Sequence, residues 1–303
     1  MSAPPHARPG RLAVGVVGAG RVGATLGAAL ALAGHTVVAA SGVSKASRDR
    51  AGRLLPGVPL LPADEVVAAA DLVLLAVPDD ALAGLAAGLA QTGAWRPGQI
   101  VAHTSGAHGL AVLDAARDRG ALPLALHPAM TFTGRPEDVQ RLAGVSFGTT
   151  APAGLEPVAS ALVIEMGGEP VVIAEELRPL YHAALVVGAN HLVTLVAESM
   201  DLLTRAGVDS PAQVLGPLLG AALDNTLRYG DGALTGPVSR GDAGTVRTHL
   251  ETLGAYSPGG VPAYVAMARR TADRAIASGR LRPLDADGVL EVLANHDDGA
   301  VRS

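Results

Sequence analysis

Three parts of this sequence combine residue types and spacings that could do chemistry. The first is GAGRVG, which sets Gly18, Gly20 and Gly23 in a G-x-G-x-x-G pattern with Arg21 and Val22 inside it. In such a pattern the first glycine permits a tight turn and the second lets the backbone approach a pyrophosphate. The third lets helix and strand pack closely. The phosphates would rest on free N–H groups at the helix N-terminus. A glycine-rich turn that only packs would read the same in isolation.

The run VVAASGVSKASR follows about 20 positions on, where an NAD site usually carries an acid for the ribose 2′-hydroxyl. Here there is none. Ser41, Ser44, Lys45 and Arg48 offer hydroxyls and cations instead, which suit a 2′-phosphate, so the expected cofactor is NADP(H). Lys45 and Arg48 would equally serve as solvated residues opening a surface helix. Two further loops sit where strands should end. Val77, Pro78 and Asp79 would line the cofactor, unless Asp79 and Asp80 only cap a helix. Ser105 and Gly106 in HTSGAHG join the cofactor set, and a hydroxyl beside bare backbone can also hold a substrate carboxylate.

The second part is LHPAM and LYHAALVVGANHLVTL, carrying His127, His182, Asn190 and Thr194. His182, Asn190 and Thr194 fall at i, i+8 and i+12, near one helical stripe. An asparagine on an apolar stripe costs stability unless its amide is paired. His127 could instead order its loop beside a restricted X-Pro bond, and His182 could be a satisfied core residue. Nine histidines are present but none forms H-x-x-x-H or a His–carboxylate cluster, so no metal is expected.

The third part is LTGPVSRGDAGTVRTHL, residues 234–250. Asp242 is placed as the N-cap of a helix beginning at Ala243. Arg240 beside the positive end of that helix is locally unfavourable unless an anion binds there. The expectation is that Arg240 anchors a substrate carboxylate or cofactor phosphate. An adhesion role for Arg-Gly-Asp has little support, because the N-terminal tail has no signal-peptide character and the chain has no cysteine.

These residues must be positioned by two kinds of architecture. Apolar runs at 12–17, 36–41, 71–77, 99–104, 122–127, 145–150 and 169–174 alternate with helical patterns such as Val22 to Ala33. That alternation predicts a parallel sheet covered on both faces. After Glu175 only amphipathic helical patterns follow, near 176–206, 210–228, 242–254, 259–278 and 285–295. The expected fold is α/β: a Rossmann-type parallel-sheet domain at 11–174, then an all-helical domain at 175–303 for substrate and dimerisation. At 303 residues and 49% hydrophobic the chain can fill two cores. A net charge of −5 and no basic block argue against nucleic acid. The apolar run Ala183 to Ala197 falls short of the ~20 residues a membrane span needs. A cytoplasmic protein follows as the expectation.

Taken in order, GAGRVG, LLAVPDDAL, HTSGAHG, LHPAMTF, LYHAALVVGANHLVTL and LTGPVSRGD resemble proteins that pair a Rossmann-like region with the domain of unknown function 2520. The resemblance spans about residues 11 to 295. It implies kinship with β-hydroxyacid dehydrogenases, pyrroline-5-carboxylate reductases and ketopantoate reductases, in which the helical domain commonly makes a homodimer. Some members are assigned as reducing 2-dehydropantoate to pantoate, which makes ketopantoate the first substrate expectation. An imine or another oxo acid is the alternative. In the β-hydroxyacid dehydrogenases a lysine proton donor precedes a substrate-orienting asparagine by four residues. If Asn190 matches that asparagine, the lysine position is Val186, which cannot donate a proton. His182, His127 or an ordered water would have to serve. A non-catalytic NADP-binding sensor is the reading from another class.

Overall fold

The computed structural model describes residues 10–297, which fall into two compact units divided between Gly188 and Ala189. In the first, seven strands form one sheet: β1 (Ala13–Val17), β2 (Thr36–Ser41), β3 (Leu72–Leu75), β4 (Ile100–His103), β5 (Leu122–Pro128), β6 (Ser146–Thr150) and β7 (Glu169–Val172). The strand order is β2-β1-β3-β4-β5-β6-β7. Helices α1 (Arg21–Leu32), α2 (Lys45–Leu54), α3 (Ala63–Ala69), α4 (Asp79–Gln91), α5 (Asp114–Arg117), α6 (Glu137–Arg141) and α7 (Glu156–Glu165) connect them, and α8 (Arg178–Leu185) follows. The chain reverses direction across the sheet between β1 and β3, the crevice where open α/β sheets bind ligands. On the outer side of β2, a single parallel bridge from Ala40 to Leu60 stands where a further strand could pair.

Side chains alternate across β3, so Leu72 and Leu74 join one core cluster while Val73 and Leu75 join the other. Small residues fill the helices, and the few aromatics are placed singly. Trp95 is buried on the second face and donates its indole N–H to the Ala86 carbonyl at 3.1 Å.

The seven expected strands are present, but the sheet is not wholly parallel. β5 and β6 run antiparallel, with His127 opposite Gly148, whereas β6 and β7 are parallel again. The intervening segment explains the reversal. It holds only the five-residue α6, which packs on α1 instead of crossing the sheet. The buried Asp138 carboxylate accepts from the backbone N–H groups of Thr133 and Gly134, both at 2.7 Å, and ties that segment into a compact loop.

The second unit contains α9 (His191–Arg205), α10 (Pro211–Tyr229), α11 (Ala243–Tyr256), α12 (Val261–Ala277) and α13 (Pro283–Asp297), with no strand among the described residues. Val246, Leu250, Val265, Val289 and Leu293 form its own core. No residue of α9 or α10 is buried.

Two expectations need correction here. The apolar run bounded at Ala183 to Ala197 lies in a 31-residue helical run, Glu175–Arg205, with mean hydropathy 1.5 over its best window. By length and composition it could cross a membrane. Second, a π-turn at Val186–Asn190 interrupts this helix. The wider turn shifts the phase, so the stripe read through His182, Asn190 and Thr194 at regular α-helical spacing does not hold.

Candidate active site

The glycine turn has the shape its sequence implied. Gly18 takes φ +93°, and a Cβ there would lie 2.6 Å from the Ala76 carbonyl oxygen. A Cβ on Gly23 would collide with the Gly18 carbonyl oxygen. At Gly20 the nearest atom to such a Cβ is 3.9 Å away, which leaves the space above the turn open. Gly20 is the N-cap of α1, with no side-chain cap and no acid in the first turn. The helix therefore presents backbone N–H groups and a positive dipole end toward that space.

Ser41 stabilises the turn: its hydroxyl accepts from the Gly18 N–H at 3.2 Å, and its carbonyl accepts from Ala19 at 2.7 Å. Ser44 is the N-cap of α2 and accepts from the Ser47 N–H at 3.1 Å. Lys45 pairs with Asp49 at 2.6 Å on the exposed surface, and Arg48 donates to the Val43 carbonyl at 2.6 Å. An exposed pair of this kind is weak and screened by solvent, so a phosphate could displace it. At the end of β3, the N-cap of α4 is Pro78, while Asp79 and Asp80 occupy its first turn without capping a backbone group.

A second polar group lies at the C-terminal ends of β4 and β5. Because β1, β3, β4 and β5 are parallel, these ends share the sheet edge that carries the glycine turn. His103 is fully buried, and its tautomer is set by its neighbours. Its Nδ1 accepts from the Ser105 N–H at 3.2 Å, so Nε2 carries the proton and donates to the Gly109 carbonyl at 2.9 Å. The Ser105 hydroxyl accepts from the His108 N–H at 3.1 Å. Gly106 is required by close approach: a Cβ would stand 2.6 Å from His182 Cδ2 and 2.9 Å from His127 Nε2. The two imidazoles meet edge to face at 5.8 Å, and His127 Nδ1 shares a hydrogen bond with the Tyr181 hydroxyl at 3.0 Å. Across the antiparallel pair, Gly148 leaves room for the Tyr181 ring, which a Cβ would approach at 2.7 Å.

Beneath this group lies Arg178, fully buried. It donates to the carbonyls of Ser105 at 2.6 Å and Gly148 at 3.3 Å and to the Thr150 hydroxyl at 3.0 Å. Burial pushes His127 down to about 4, with Arg178 and His182 adding to the effect. Burial likewise holds His103 at about 4, partly opposed by its bond to Gly109. Both rings are therefore neutral at pH 7. Burial raises the Tyr181 phenol, and the Arg178 charge opposes that rise.

The structure thus brings together His127, His182, Ser105 and Gly106. Sequence reading passed over Arg178, Tyr181 and His103. The only local signal was adjacency, since Arg178 stands one turn before His182 and Tyr181 immediately precedes it. Asn190 is exposed and caps nothing in the second unit. Arg240, in the same unit, ends a 3-10 turn with an exposed side chain. Asp242 caps α11 as expected, accepting from the Thr245 N–H at 3.1 Å. Its bonds to Thr245 hold its carboxyl below the usual range, with Arg240 contributing. Gly241 takes φ +76° against the Asp285 carbonyl, so the Arg-Gly-Asp step has a local structural cause. Among the described residues no group of three or more metal-ligating side chains occurs.

Residues 1–128 match the family model of the Rossmann-like domain, and residues 145–271 match that of the domain of unknown function DUF2520. No curated protein matches the sequence. Among solved structures, a Bacteroides fragilis protein assigned as an NADP oxidoreductase has a TM-score of 0.73 at 21% identity, covering 87% of this chain and 98% of its own. An imine reductase from Pseudomonas sp. has a TM-score of 0.63 at 17% identity, covering 89% and 99%. A 1-pyrroline-5-carboxylate reductase from Streptococcus pyogenes has a TM-score of 0.58 at 16% identity, covering 88% and 99%. At these identities the likeness is one of fold.

Proposed function

We propose that this chain is an NADP(H)-dependent oxidoreductase that reduces a small 2-oxo acid, with ketopantoate to pantoate the first reaction to test. One observation carries the reading: an open, uncapped glycine turn shares a sheet edge with the Ser105, His127, Tyr181 and His182 group. The residues fit the cofactor. Gly18, Gly20, Arg21, Val22 and Gly23 would hold the pyrophosphate, with Val77, Pro78 and Asp79 beside them. Ser44, Lys45 and Arg48, with no acid at the end of β2, would take the 2′-phosphate. The fold shared with an imine reductase and a pyrroline-5-carboxylate reductase supports the reaction class and keeps an imine or another oxo acid as the alternative.

Bound NADPH supplies the hydride. The chain's own part is to place the carbonyl and deliver a proton. Neutral His127 is not charged to act as an acid at pH 7, whereas Tyr181 keeps its phenolic proton. We assign Tyr181 as the proton donor, with His127 Nδ1–H donating to its oxygen so that the phenolic O–H stays free for the substrate. The phenolate left behind faces the Arg178 charge. The backbone at Ser105 and Gly106 and the His182 ring would orient the substrate. Val186 at the position of a lysine donor is consistent with a donor elsewhere.

NADPH oxidation with a panel of 2-oxo acids tests the reading. Tyr181→Phe should lower kcat by roughly 100-fold or more with little change in KM. Comparable efficiency with NADH would sink the NADP preference. Tight NADPH binding without turnover of any carbonyl or imine would favour a sensor. Arg240→Ala raises the oxo-acid KM if its exposed guanidinium serves the substrate; an unchanged KM returns it to the surface. The exposed apolar residues of α9 and α10, among them Val193, Leu218 and Leu227, support a homodimer in which a second copy covers them.

A further inference from the structure

Arg178 is the largest fully buried side chain of the described chain, and it has no carboxylate partner. A guanidinium taken out of water is normally compensated by an ion pair, and without one the desolvation cost stands. Its acceptors are two carbonyls and one hydroxyl, and its Nε–H is buried with no partner at all. The nearby acid that could have answered it is committed elsewhere. The Glu175 carboxylate accepts from the Leu110 and Ala111 N–H groups at 2.8 and 3.0 Å. Glu175 and Asp79 act on Arg178 only through space, and neither carboxylate bonds to its guanidinium.

The groups around it deepen the imbalance. His103, His127 and His182 carry no negative charge, and the Arg178 charge helps keep the first two unprotonated. The hydrogen bonds that Arg178 makes do not need a charge. A neutral amide donor could tie the Ser105 carbonyl to β6 at lower desolvation cost. What a guanidinium adds is a fixed positive potential beneath the half-buried surface of His127, Tyr181 and His182.

We propose that Arg178 is a specificity-determining residue whose buried, unpaired charge selects substrates carrying a carboxylate and rejects cationic imines that lack one. This rests on the reductase reading and narrows it. Attraction of an anion and repulsion of an iminium both follow from one charge in a poorly screened site. Arg178 acts through the field and by holding the Ser105 carbonyl, so it is a positioning residue in the reaction itself.

The test compares wild type, Arg178→Lys and Arg178→Met with ketopantoate, its uncharged methyl ester and 2-methyl-1-pyrroline, each with NADPH. Wild type should prefer the free acid over the ester by ~100-fold in kcat/KM, and should reduce the pyrroline poorly. Arg178→Met should shrink the acid preference to a few-fold, chiefly through the KM of the acid, while Arg178→Lys restores most of it. A purely structural arginine would lower acid and ester together. An unchanged preference in Arg178→Met that retains the wild-type circular dichroism would overturn the proposal, as would efficient pyrroline reduction by wild type. If no carbonyl or imine turns over in wild type, the reductase reading fails on its own. Acetate and acetamide titrations of the NADP-loaded protein, followed by the His127 ring resonances, then decide on Arg178. Shifts with acetate alone, lost in Arg178→Met, uphold its charge selectivity; no acetate-specific shift in wild type overturns it.

Discussion

Strand β3 and helix α10 are built from similar apolar residues yet differ completely in burial. All four residues of Leu72–Leu75 are buried, whereas none of the 19 residues of Pro211–Tyr229 is. The strand finds cover within its own unit, from two core clusters on opposite faces of the sheet. The helix leaves Val214, Leu218, Leu223 and Leu227 more than half exposed. Each such side chain forgoes about half or more of the ~1.5–3 kcal/mol that full burial would contribute. The strand is covered within its own unit; α9 and α10 carry an apolar pattern that their own unit leaves uncovered.

The largest effect should come from attacking that exposed face. Leu218→Asp should convert the proposed homodimer into monomer at micromolar concentration, raising the dimer Kd more than ~100-fold by sedimentation equilibrium. If the assembly were unaffected, the contrast between the units would need another explanation. The next effect belongs to the sheet unit. His103 and His127 sit at about 4 in the fold, against an ordinary value of 6.5. Between those values the unfolded chain binds more protons, so the stability they contribute is complete above 6.5 and drains as pH falls toward 4. The loss is up to ~3 kcal/mol per imidazole. Urea unfolding between pH 7 and 5 reads it, above the range where the lowered Asp138 and Glu165 carboxyls titrate. A flat profile would argue against it.

Gly23→Ala comes third. The added methyl meets the Gly18 carbonyl and should cost about 1–3 kcal/mol while weakening NADPH binding, readable by calorimetry. Smallest is Asp242→Ala in the helical unit, which removes the α11 cap and should lower the urea unfolding midpoint slightly. No change in the unfolding midpoint would mean that α11 is held by its core contacts alone.

How much of this was legible depended on how far each signal reaches along the chain. The strands and helices were visible because apolar periodicity is local, and the glycine turn because its three glycines fall within six residues. The antiparallel β6 was not, since its direction depends on α6 failing to cross the sheet. The π-turn at Val186–Asn190 left no mark in the residue pattern. Arg178 was hidden for a stronger reason: its acceptors at Ser105, Gly148 and Thr150 lie 73, 30 and 28 positions away. The glycine of the Arg-Gly-Asp step was hidden in the same way, because the carbonyl that demands it belongs to Asp285.

The scarcity of aromatic residues has a practical consequence. The single tryptophan, Trp95, is buried in the sheet unit with its indole N–H bonded, while three of the four tyrosines, Tyr229, Tyr256 and Tyr264, lie in the helical unit. The chain therefore carries a built-in optical label. Emission excited through tryptophan alone reports the sheet, and tyrosine absorbance reports mostly the helices. Unlabelled protein is enough to see whether the two halves melt together.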